Sequence, residues 1–154
     1  MSTETILDTF QEFLFILIVF DVFLVYAIVR GRQAVVNMIM SLYFALLIML
    51  EFPYFNVVGD SAFVKMGLFA VFTILSLFVM SRIMPDPFRE SRFESMGKKT
   101  LLALGATILT TIYSYHVLAI TDFISLGSPI DQIFGPEGLF FWWLLIPMLI
   151  LFIL

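Results

Sequence analysis

Cysteine is absent and histidine occurs once. Disulfide frameworks, thiolate metal sites, iron–sulfur clusters and cysteine nucleophiles are therefore excluded, and a lone histidine makes no metal centre. Charge is scarce as well, at 13% of the 154 residues against roughly 25% in an average soluble domain. Glycine-rich phosphate loops, Gly-x-Ser-x-Gly, His-Glu-x-x-His and paired carboxylates on one helix face are all missing, so the residues carry no enzyme signature. A large basic surface is missing too, which argues against nucleic acid as a partner. Nothing points to a cofactor.

What the chain has in abundance is apolar side chains, 62% of all residues. That exceeds what a soluble fold of this size can hide. In a bilayer, spanning segments must be helices or a closed barrel, because each backbone N–H and C=O needs an internal partner. Barrel strands would alternate over short segments, whereas these apolar runs are continuous. The expectation is an all-α, polytopic membrane helix bundle of about five transmembrane helices in a single domain.

The spans are expected at residues 10–29, 34–52, 62–81, 100–120 and 139–154, each near the roughly 20 residues that crossing requires. Pro53 should close the second, since it cannot donate to a continuing helix. The fifth holds only 16 residues and contains Pro147. It is read as a short full crossing. Asp86-Pro87 and Ser128-Pro129 read as helix N-cap pairs, and Gly97 as a stop, predicting surface helices over 87–96 and 129–134. The acidic start, with Glu4, Asp8 and Glu12, is the opposite of a cationic signal sequence.

Orientation follows from the basic residues. Arg30, Arg32, Arg82, Arg89, Arg92, Lys98 and Lys99 are seven of the eight, and they flank two loops on the same side. The positive-inside rule makes that side cytoplasmic and puts the N-terminus outside. Tyr113, Tyr115, Trp142 and Trp143 then fall towards the outer interface. Arg30, Arg32, Arg89, Arg92, Lys98 and Lys99 are candidate contacts to lipid headgroups.

Asp21 stands out because it lies near the middle of the first span, where an ionised carboxylate costs at least roughly 2.5–3.5 kcal/mol. Counting about 1.5 Å per residue from the cytoplasmic ends, Ser41, Thr73, Thr110 and Thr111 should be level with it. Together they could form one polar layer. Asp21 there is either part of a proton or ion step or a protonated side chain gluing helices together. Small-residue stripes at Asn37/Ser41/Ala45, Gly67/Ala70/Thr73/Ser76 and Ala103/Thr107/Thr110/Ser114 are expected to pack helices closely. Phe69, Phe72 and Ile150 are expected to face lipid or a subunit boundary. His116, near the outer end of the fourth span, is a candidate pH-sensitive group.

Arg30-Gly31 after the first span, and Ser95-Met96-Gly97-Lys98-Lys99 before the fourth, give a layout that resembles the CvpA (colicin V production) family of small bacterial membrane proteins over residues 10–120. Asp21 sits deeper than that family's acidic residue, a second Arg-Gly in the fourth span is lacking, and a fifth hydrophobic segment is added. The resemblance implies a multi-pass inner-membrane protein linked to envelope processes with no defined reaction.

Two functional classes follow. The favoured one is an interaction or scaffold component of the cell envelope, partnered by the lipid bilayer and by a homo-oligomer or another membrane protein. The alternative is a small channel or proton-coupled transporter using the Asp21 layer. Transporters usually show inverted repeats with broken midplane helices. Here only the fifth span has a midplane proline.

Overall fold

The computed structural model describes residues 3–53, 61–84, 96–116, 133 and 136–153. Among these residues the structure is all-α, with five helices: α1 (Thr3–Arg30), α2 (Arg32–Leu50), α3 (Ala62–Ile83), α4 (Met96–His116) and α5 (Glu137–Ile153). Three segments, Phe13–Arg30, Arg32–Leu50 and Phe63–Ile83, are long and apolar enough to cross a membrane. The apolar part of α5, Gly138–Ile153, is shorter. The expected surface helices, with Arg89 and Arg92, lie outside the described residues except for Met96 and Ile133.

Local chemistry explains the helix ends. Gly31 alone separates α1 from α2, with φ 93° and ψ 171°, a region that is essentially glycine-only. Its N–H donates to Ala27 O at 3.0 Å, closing α1 as α2 begins. Glu51 caps α2, donating to Leu47 O at 3.2 Å. Pro53 follows two residues later, as expected of a residue that cannot extend a helix. Ser61 Oγ accepts from Val64 N–H at the start of α3, the usual service of an N-cap serine.

Gly97 corrects the expected loop grammar. It lies inside the first turn of α4, which begins at Met96 and not at Thr100. Among the described residues nothing lies within 4 Å of where its Cβ would stand, and a glycine near a helix start costs little compared with one in mid-helix.

Helix α4 is the hub. It packs against α1, α2 and α5, while α2 also holds α3 and α1. The buried core draws on all five, from Phe23 and Ala27 through Val35, Ile39, Phe69, Leu102 and Leu109 to Ile150. Buried residues occur nearly all round α4. A helix enclosed by other helices can bury small and weakly polar residues, and α4 buries Gly105, Thr107, Thr111 and Ser114. The peripheral α1, α3 and α5 instead expose large apolar side chains, including Val29, Phe63, Ile74, Phe78, Phe141 and Phe152.

Three aromatic and aliphatic positions depart from expectation. Phe69 and Ile150 are buried and Phe72 packs against the core. Phe69 meets Tyr113 edge-on with centroids 5.5 Å apart, and Phe72 meets Phe52 at the same separation. Ile150 reaches Gly105, where a Cβ would stand 3.3 Å from its Cδ1 and 3.7 Å from Pro147. The missing side chain of Gly105 is what lets α5 seat its proline turn on α4.

Candidate functional site

Of the hydroxyls expected to share a layer, most are interior. Ser41, Thr73 and Thr111 are buried and Thr110 is half-buried. Each donates to the carbonyl four residues earlier on its own helix: Ser41 to Asn37 at 2.6 Å, Thr73 to Phe69 at 2.8 Å, Thr110 to Ala106 at 2.9 Å and Thr111 to Thr107 at 2.9 Å. Thr107 and Ser114 do the same. Their protons are held by backbone.

Asp21 does not join these residues in the interior. It lies on the exposed side of α1 among Ile18, Val22 and Val25. At about 100° per residue, it sits about 160° around the helix from the buried Phe23 and about 120° from the buried Ala27. Ala27 permits close approach to the hub and so sets the rotation of α1. Among the described residues no hydrogen bond or ion pair to Asp21 is formed, and groups of three or more His, Asp or Glu suited to a metal ion are absent.

The small-residue stripes divide by their spacing. Asn37, Ser41 and Ala45 are all buried, as are Ala103, Thr107 and Ser114. The third stripe splits: Thr73 and Ser76 are buried, while Gly67 and Ala70 are exposed. Steps of three residues rotate about 60° backwards each time, so the series from Gly67 to Ser76 walks halfway around α3.

At the Arg-rich end, Arg30 and Lys98 are exposed and Arg32 is half-buried. Lys99 corrects the headgroup expectation, because it is buried at 5% exposure. It continues the inward stripe of Leu102, Ala103 and Ala106, and its four-carbon stem packs as an apolar side chain would. Arg82 stays outward with its guanidinium 5.6 Å from the Phe78 ring centroid.

The outer-end aromatics separate. Tyr113 is fully buried rather than interfacial, whereas Trp142 is exposed. Trp143 Nε1 donates to Ile133 O at 2.9 Å. His116 is half-buried with its ring 4.7 Å from that of Phe140.

Two interhelical ties escaped the sequence reading. Asn37 Nδ2 donates to Met84 O at 3.1 Å and its Oδ1 accepts from Gln33 Nε2 at 3.1 Å. This anchors the last turn of α3 to α2. Tyr43 Oη donates to Leu144 O, tying α2 to α5 one turn before Pro147. Polarity at 37 and 43 was visible in the sequence, but backbone carbonyl acceptors have no sequence signal.

Comparison with protein-family models, with curated proteins and with solved structures gave no match.

Proposed function

We propose that this chain is a multi-pass protein of the cell membrane, with five spanning helices and the N-terminus outside, that serves as an interaction or scaffold component of the envelope. The alternation of acidic and basic loops supports that orientation. The resemblance in layout to the CvpA family makes a bacterial inner membrane the natural setting. The observation that carries the scaffold role is the division of polarity: interior hydroxyls donate to their own helices, while the one mid-span carboxyl faces outward. A proton path needs exchangeable groups in line, and here the carboxyl and the hydroxyls lie on different faces. An outward carboxyl amid apolar side chains instead marks a surface that another helix covers.

The test is passive and driven proton flux in proteoliposomes. A pH gradient across vesicles holding the protein should decay no faster than across protein-free vesicles. Rapid decay that disappears in Asp21→Asn, whose amide cannot release a proton, would replace the scaffold reading by the transporter reading.

A further inference from the structure

Helix α5 is held at two places that differ in kind. Towards its C-terminus the fully buried Pro147 lies against Gly105, where a Cβ would stand 3.7 Å from the proline and 3.3 Å from Ile150 Cδ1. One turn earlier, Tyr43 Oη reaches across from α2 and donates to Leu144 O. The same hydroxyl takes a hydrogen bond from the Met148 backbone. Pro147 has no N–H and removes one rung of the helix ladder. Tyr43 enters the next rung, and such insertions are where helices bend. Residues 137–144 therefore form an arm beyond a weakened turn. The arm exposes Leu139, Phe141 and Trp142 and rests its Phe140 ring 4.7 Å from that of His116.

A second hydroxyl lies close by. Tyr113 Oη is buried with no hydrogen-bond partner among the described residues, and Tyr43 is near enough to bear on it electrostatically. With the arm seated, one tyrosine hydroxyl is satisfied and its neighbour is not, and a polar group buried unpaired is costly. We propose that residues 137–144 are a movable arm turning on the Pro147 seat at Gly105, with the Tyr43 hydroxyl passing from Leu144 O in the seated position to Tyr113 Oη in the lifted one. Each polar group released by the move finds a partner, since Leu144 O returns to the Met148 N–H of its own helix. The lift gives up the contact of Phe140 with His116, which keeps the seated position the more populated. Two arrangements so closely balanced in hydrogen bonds are what a two-position element requires. Lifting the arm changes the surface that this end of the bundle presents.

The chain has no cysteine, so spin labels can be placed singly or in pairs. Leu50→Cys with Trp142→Cys, both at exposed positions, reports on the arm, and Ile83→Cys with Phe152→Cys, also exposed, reports beyond the seat. Pulsed distance measurements in lipid nanodiscs should give a major and a minor distance for the first pair and one distance for the second. Tyr113→Phe takes away the bond of the lifted arm and should lower the minor population about tenfold. Made on top of Tyr43→Phe it should change nothing, because that bond is already gone. A space-filling role for Tyr113 would not depend on Tyr43 in this way. Pro147→Ala keeps the Cα and Cβ that meet Gly105, returns an N–H to the ladder and should also deplete the minor population. If the second pair shifts in a tyrosine variant, Pro147→Ala decides alone. A single distance for the first pair in the unmodified chain, an unchanged minor population in Tyr113→Phe or in Pro147→Ala, or an equal loss with and without Tyr43 would each overturn the proposal.

Discussion

Single residues hold this bundle together for reasons that differ from site to site. Gly31 is needed for its backbone, since φ 93° with ψ 171° strains any residue with a Cβ. Gly31→Ala should cost about 1–3 kcal/mol, read as a lower unfolding midpoint in detergent. Asn37 is needed as a donor to Met84 O. Asn37→Ala should lose about 1 kcal/mol, and Asn37→Asp should lose more, because an ionised carboxylate cannot donate to that carbonyl. Tyr113 runs the other way. Its hydroxyl is buried without a hydrogen-bond partner among the described residues, and an unsatisfied buried group costs roughly 1–3 kcal/mol. Tyr113→Phe keeps the edge-on contact with Phe69 and should leave stability equal or higher. A clear loss in a denaturation series would show that the hydroxyl is satisfied after all.

At the scale of elements, α4 shows how small residues place a helix at the centre of a bundle. Its inward faces carry Ala103, Ala106, Thr107 and Gly105, all buried, which let α1, α2 and α5 approach closely. Where lipid weakens the hydrophobic drive, such close packing is what holds helices together. Thr107→Leu should overpack this seam and destabilise the bundle by roughly 1–3 kcal/mol. Unchanged melting of that variant in detergent would count against the packing assignment. The i+4 stripe on α2 was legible in the sequence because four residues return nearly to the same face, and the mixed i+3/i+4 stripe on α4 was legible but for the half-buried Thr110. The i+3 series on α3 was not, because its drift carries Gly67 and Ala70 to the exposed side.

For the whole molecule, the decisive quantity is the distribution of charge between the two ends of the bundle. In the proposed orientation residues 30–32 and 82–99 are cytoplasmic, and residues 1–9, 53–61 and 121–138 are external. A cysteine at Ser128 should react with an impermeant reagent in intact cells and one at Ser95 should not. The reverse pattern would invert the topology.

The all-α class was legible in the sequence alone, because long continuous apolar runs, punctuated by Gly31 and Pro53, show no strand-like alternation. The buried i+4 stripe of α2 belongs with it. Rotation about each helix axis was decided by tertiary structure. Burial of Phe23 and Ala27 leaves Asp21 on the exposed side of α1, Gly105 receives Ile150 and Pro147, and the inward stripe of α4 buries Lys99. In a chain that is apolar on every face, hydrophobic periodicity is too weak to point a side chain inward or outward. Close approach of small residues, set only when the helices meet, makes that choice.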